Sequence, residues 1–195
     1  MTQVISGSGH HVDASTVLLQ ASNVTMRFGG LTAVNNVSLS VHPGEIFGLI
    51  GPNGAGKTTF FNCLTGLYKP TSGEVRFAGE VLPPKPRLVV RSGMARTFQN
   101  IRLFHNMTAL ENVMVGMYSR TKTNAIDAVF RSPRHRREEL ASTERGRELL
   151  EFVGLAGSAD TLSRNLPYGD QRRLEIARAL ATEPKLLLLD EPTAG

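Results

Sequence analysis

Cysteine is almost absent from this chain: Cys63 is the only one among 195 residues. No disulfide can close within the sequence, and the composition fits a reducing compartment. No apolar run approaches the roughly 20 residues that span a bilayer, so any membrane role is expected to be peripheral. The opening stretch MTQVISGSGHHVDAS lacks the basic start and apolar segment of a secretion signal. Residues 1–19 read as a loose polar tail, with His10 and His11 solvated rather than bound to metal. An excess of acid is missing too: the formal net charge is +5. Part of it lies in the run Arg131-Ser132-Pro133-Arg134-His135-Arg136-Arg137. No aromatic residue interleaves with those arginines, so they offer bases no stacking platform, and nucleic acid is not an expected partner. They read as a solvated turn and helix start. No internal repeat is present.

What is there is an ordinary globular composition, 41% hydrophobic, and one dense motif. Gly51-Pro52-Asn53-Gly54-Ala55-Gly56-Lys57-Thr58-Thr59 fits the phosphate-binding loop pattern G-x-x-x-x-G-K-[ST] in full. Each residue type answers a demand of a polyphosphate. Glycines let backbone N–H groups turn inward, Lys57 supplies a mobile charge for the outer phosphates, and Thr58 offers a hydroxyl to Mg²⁺. The flanks suit the motif. Glu45 to Ile50 reads as a short buried strand, and Lys57 to Leu64 as a helix stopped at Gly66, whose N-terminal dipole favours an anion.

Other elements can be read in outline. Residues 22–28 and 36–41 alternate as strands, with Gly29-Gly30 breaking the first; Glu74 to Ala78 is a further strand. The first third thus mixes an antiparallel sheet with the phosphate-loop strand. Residues 95–99 form a weaker strand. Thr108-Ala109-Leu110-Glu111 is a capping box opening a helix to about Val115. A helix over Glu138 to Val153 would put Leu149, Phe152 and Val153 on one face. A second, from about Asp170 to Ala181, would bury Ile176, Ala179 and Leu180 and turn Arg172, Arg173 and Glu175 outward. After Pro184, four leucines ending in Asp190 read as a parallel strand buried on both faces.

A carboxylate at the C-terminal edge of such a strand can anchor Mg²⁺, and its neighbour Glu191 can polarise an attacking water as general base. Taken alone, the run is also what a strand end with two exposed acids looks like. Gln99 alone is an ordinary loop glutamine, and Phe28 an ordinary core ring.

Together these pieces resemble an ATP-binding cassette, the nucleotide-hydrolysing subunit of ABC transporters. GPNGAGKTT, TFQN, LPYGDQRRLEIARAL and LLLLDEP stand in that family's order and spacing, over about residues 20 to 195. The text FQNIRLFHNMTALENVMVG is similar to the ATP-binding subunits of bacterial branched-chain amino acid importers. The resemblance implies a phosphate-loop α/β core with an antiparallel β subdomain and a helical insert, about residues 100–180. It implies ATP and Mg²⁺ as cofactors. It places Phe28 on adenine and Gly51 to Thr59 around the phosphates. Thr58, Gln99 and Asp190 would serve the metal, and Gln99 and Glu191 catalysis. Leu166 to Gly169 would cap an ATP held by a second, facing ATP-binding subunit, identical or not. Transmembrane permease subunits and, through them, a substrate-binding protein outside the membrane would be partners at the cytoplasmic face of the plasma membrane. The alternatives are a cassette of a transporter with another cargo (another amide, urea or lipopolysaccharide), a cassette acting on ribosomes or DNA, and a truncated fragment that binds ATP without turnover.

Two departures qualify the resemblance. The commonest signature, LSGGQ, here reads Leu166-Pro167-Tyr168-Gly169-Asp170. Pro167 has neither hydroxyl nor N–H to offer, so phosphate contact would fall to the Gly169 N–H and the helix start. The sequence also ends at Gly195, before the segment in which the family carries a histidine for the terminal phosphate. The resemblance therefore implies a cassette incomplete at its C-terminus, with weak nucleotide binding and little turnover in this form.

Overall fold

The four-stranded antiparallel sheet that frames the phosphate loop starts from a long hairpin. β2 (Leu19–Phe28) and β3 (Leu31–Val41) turn through Gly29, whose φ of 57° is left-handed. β5 (Ser72–Phe77) pairs with β2, and the short β6 (Glu80–Val81) with β5, giving the order β3-β2-β5-β6. Alternation along these strands buries Leu19, Ala21, Val34, Val41, Val75 and Phe77, as a one-sided antiparallel sheet requires. The pairing of β2 with β3 is bulged, and Asn23 and Asn36, both at φ 52°, join side chains across the irregularity at 2.9 Å. In this computed structural model the described residues are 3–7, 17–97, 99–118 and 133–190, with backbone alone at 3–7, 118 and 133–138. The chain divides into two compact units, Met1–Ser92 and Gly93–Gly195.

In the first unit α1 (Lys57–Leu64) has the extent its sequence predicts. It buries Phe60, Cys63 and Leu64, and Gly66 follows at φ 69°. A side chain at 66 would lie 2.8 Å from the Pro83 carbonyl, so the stop needs glycine on two counts. α2 (Pro86–Ser92) adds Val89 to the core. Two expectations are corrected here. The polar tail contains a strand, β1 (Gln3–Gly7), antiparallel to β4 (Ile46–Ile50), with Gln3 opposite Ile50 and Gly7 opposite Ile46. Its Val-Ile pair suits extended backbone despite polar neighbours. β4 itself is not buried: Ile46 is 85% and Ile50 53% exposed. A two-stranded ribbon satisfies backbone groups along one edge without covering the faces.

The second unit combines a parallel pair with a helical cluster. β7 (Met94–Arg96) runs parallel to β8 (Leu186–Leu188), Met94 opposite Leu186 and Arg96 opposite Leu188. Only Leu188 of β8 is fully buried, so the leucine strand is not covered on both faces among the described residues. α3 (Ala109–Tyr118), α4 (Pro133–Phe152) and α5 (Tyr168–Leu180) pack around Leu110, Val113, Leu149, Leu150, Leu174 and Ala177. The capping box is formed: the Thr108 N–H donates to Glu111 Oε2 at 2.7 Å, and the Glu111 N–H to Thr108 Oγ1 at 3.2 Å. Gly116 of α3 lies against the backbone of α5, where an added Cβ would stand 2.4 Å from the Arg178 carbonyl oxygen.

The helix faces differ from the sequence reading. On α4, Leu150 is fully buried and Phe152 is 78% exposed. On α5, Leu174 and Ala177 form the core contact, while Ile176 and Leu180 are only partly buried. Arg172 and Glu175 are buried rather than outward, which turns the helix by about one position from the predicted face.

Candidate functional site

β4 ends at Ile50 and α1 begins at Lys57, so Gly51 to Gly56 form the turn between strand and helix. Gly54 and Gly56 have φ of 81° and 83°, a region that L side chains rarely adopt. Gly56 is also sterically fixed, since a Cβ there would stand 2.1 Å from the Ala33 carbonyl oxygen. The Ala55 N–H closes on the Pro52 carbonyl at 3.2 Å. Lys57 Nζ donates to the carbonyls of Gly51 at 2.6 Å and Pro52 at 2.9 Å, which holds its charge across the loop. Asn53 and Thr58 are exposed, and Thr59 is half-buried. The first turn of α1 carries no acid, so nothing there offsets its positive N-terminal dipole. The loop thus combines left-handed glycine backbone with one ammonium drawn across it.

In the same unit Phe28 is 43% exposed at the end of β2. Its ring meets Tyr68 edge-to-face, centroids 5.5 Å apart at 78°. It is therefore not the buried core ring that its residue type alone suggests. Cys63, on the buried face of the loop helix, has its thiol pushed above the ordinary range by that burial.

The remaining residues belong to the second unit. Asp190 follows β8 and is buried. Its Oδ2 accepts from Arg96 at 2.8 Å, and its N–H donates to Thr97 Oγ1 at 3.3 Å. Thr97 in turn donates its N–H to the Leu188 carbonyl at 3.0 Å. Glu191 lies outside the described residues. Gln99 is exposed at the start of a loop, and its carbonyl accepts from Arg172.

Leu166 is buried, whereas Pro167, Tyr168 and Gly169 are exposed at the start of α5. Pro167 caps the helix with no side-chain hydrogen bond. Gln171 Nε2 donates back to the Leu166 carbonyl at 2.8 Å. A Cβ at Gly169 would meet nothing within 4 Å, so the space on that side of the residue is open.

Sequence reading missed the residues that hold the loop after Gln99. Asn112 is fully buried; its Oδ1 accepts the Phe104 N–H at 2.9 Å, and its Nδ2 donates to the carbonyls of Phe104 and Thr108 at 3.2 and 2.9 Å. Ser163 Oγ donates to the same Phe104 carbonyl at 2.9 Å. An asparagine one turn into an apolar helix was the available signal, because a buried amide must find backbone partners.

A profile of the family described as ABC transporter matches residues 34–194. The high-affinity branched-chain amino acid transport ATP-binding protein LivG of Escherichia coli strain K12 is 49% identical over 182 residues, covering 93% of this chain and 71% of that protein. BraF of Pseudomonas aeruginosa, of the same description, is also 49% identical over the same shares. The Nod factor export ATP-binding protein I of Rhizobium meliloti is 39% identical, and the chain covers 49% of it. Among solved structures, a nucleotide-free ATP-binding cassette from an ABC transporter superposes with a TM-score of 0.73 at 33% identity, over 92% of this chain and 70% of that one. A cassette in its ADP conformation gives 0.73 at 31% identity, over 93% and 71%. With the loop geometry, these likenesses settle the family: the chain is an ATP-binding cassette of the ABC transporter family.

Proposed function

We propose that this chain is the ATP-binding and hydrolysing subunit of an importer whose cargo is branched-chain amino acids. The observation that carries the nucleotide half is the loop Gly51 to Thr59, with its two left-handed glycines and the Lys57 ammonium stretched across it. The likeness to LivG and BraF supports the cargo.

Within this reading the loop's backbone N–H groups other than that of Ala55, with the Lys57 ammonium, bind and orient the phosphates. Phe28, backed by Tyr68, takes the adenine face. The donor set suits Mg²⁺, a hard cation that prefers oxygen: the exposed Thr58 hydroxyl and the buried Asp190 carboxylate are such donors. A bound metal would neutralise phosphate charge. Gln99 orients water or metal and reports to the permease. Glu191 takes the proton of the attacking water. Leu166 to Gly169, through the Gly169 backbone, cap a nucleotide on a second ATP-binding subunit. The chain sits peripherally at the cytoplasmic face of the membrane, bound to permease subunits that a substrate-binding protein feeds.

The test is fluorescent ATP titration of the chain and of Lys57→Ala, followed by reconstitution with the neighbouring permease subunits in vesicles. ATP binding lost in Lys57→Ala, with any ATP-driven uptake directed to labelled leucine, is the expected result. Uptake of a different cargo would overturn the amino acid assignment. Equal binding by both proteins would overturn the role of the loop.

A further inference from the structure

The charged side chains packed beside Gln99 and Leu166–Gly169 have no task in the proposed hydrolysis. Arg172, Glu175 and Arg178 recur every three residues along α5, a stripe on one side of the helix. Arg172 donates to the Gln99 carbonyl. Glu175 Oε1 accepts the Arg102 N–H at 3.3 Å. The Arg178 guanidinium stacks 5.7 Å from the Phe104 ring centroid. The stripe therefore grips the segment 99–104 at its start, middle and end.

Its members also bind one another. Arg172 Nη1 lies 3.6 Å from Glu175 Oε2, with these side chains 11% and 3% exposed. Burial pushes the Arg178 guanidinium below its ordinary value, while Glu175 opposes that shift. Toward the helix start, Arg172 donates to the Tyr168 hydroxyl at 3.1 Å and lies 5.5 Å from that ring's centroid. Tyr168 stands inside the segment Leu166–Gly169. A buried ion pair is poor evidence of net stability, because apolar side chains of similar size often serve as well. What it does supply is fixed register between the two backbones it joins.

We propose that Arg172 and Glu175 are a positioning pair that makes the Gln99–Arg102 loop and the first turns of α5 move as one body. A single contact would leave a hinge; two contacts, to backbone groups three residues apart, resist rotation as well as separation. The functional weight of this link rests on the roles proposed for Gln99 and Leu166–Gly169, but the link itself needs no nucleotide.

The experiment is hydrogen exchange on the nucleotide-free chain. Asn100→Gly, at an exposed site, loosens the loop by added backbone freedom. With Arg172 and Glu175 in place, it should speed exchange of the Gln171–Leu174 amides about threefold, the scale of one added glycine. In the Arg172→Met/Glu175→Leu background, which removes both charges of the pair together and leaves Arg178 its place over the Phe104 ring, the same change should leave those amides untouched. The Val113 and Leu150 amides should not respond in either background, whereas a merely structural pair would shift them too. Equal transmission in both backgrounds, or none in the first, overturns the proposal. Failure of ATP binding would sink the function proposed above and leave this link standing.

Discussion

Arg96 and Asp190 form a closed ion pair: the guanidinium donates to Oδ2 at 2.8 Å, with the side chains 8% and 10% exposed. It bridges the ends of two parallel strands, since Arg96 closes β7 and Asp190 follows β8. Removing one partner strands a buried charge, at a cost of about 3–5 kcal/mol. Arg96→Ala is therefore expected to lower the urea midpoint sharply. Asp190→Asn keeps an acceptor for Arg96 and should cost less, while removing the anionic oxygen offered to Mg²⁺. If both variants unfold alike, the ion pair is not what holds Asp190.

Gly54 and Gly56 share a backbone conformation but differ in surroundings. Gly54→Ala meets open space and should cost only the strain of a left-handed alanine, about 1–2 kcal/mol. Gly56→Ala collides with the Ala33 carbonyl and must move the loop. Fluorescent ATP titration should find affinity reduced more than tenfold in Gly56→Ala, a loss of about 1.4 kcal/mol or more, and a smaller change in Gly54→Ala. The reverse order would contradict the steric account.

Asn112 is fully enclosed and bonded to the backbone of the segment 104–108. Asn112→Ala leaves the Phe104 N–H without its acceptor, while the Phe104 and Thr108 carbonyls keep donors in Ser163 Oγ and the residue-112 N–H, and should cost about 1–3 kcal/mol. Urea denaturation reads the loss. Exchange of the Phe104 amide should accelerate alongside it.

At the start of α3 the reciprocal bonds of Thr108 and Glu111 predict non-additivity. Thr108→Ala should cost about 1 kcal/mol and Glu111→Ala somewhat less. The double variant should cost less than their sum, because each bond serves the same helix end. Strict additivity would mean the box contributes nothing as a pair.

The raised Cys63 thiol carries a pH consequence. Its proton is held more tightly in the folded chain than in the unfolded one. The stability this gives is fully present below the ordinary thiol value of about 8.5 and is lost as pH rises past it. Cys63→Ala should flatten the decline of the urea midpoint above that pH. Thiol labelling of the native chain should be slow and should track unfolding.

What was legible in the sequence was local. The helix Lys57–Leu64, the glycine stop at Gly66 and the capping box each depend on residues within one or two turns, and each stands where it was expected. The failures involve distant partners. Arg172 and Glu175 carry the i,i+3 spacing of a solvated charged face, yet the groups that bury them lie 73 residues earlier. Leu150 and Phe152 are both apolar, and only the packing of α3 and α5 around α4 chooses between them. The run IFGLI reads as buried, but β4 is exposed at both ends and only half-buried between them, because burial depends on what covers a strand rather than on its own residues.

Gly116 brings the α3 backbone onto the Arg178 carbonyl with no side chain between them. Two helices that meet in this way have no rotamers at the contact through which a disturbance could be absorbed. A side chain larger than hydrogen at position 116 would have to slide or pivot one helix against the other, because nothing there can repack. The helix that follows Leu166–Gly169 is seated, at that point, backbone against backbone.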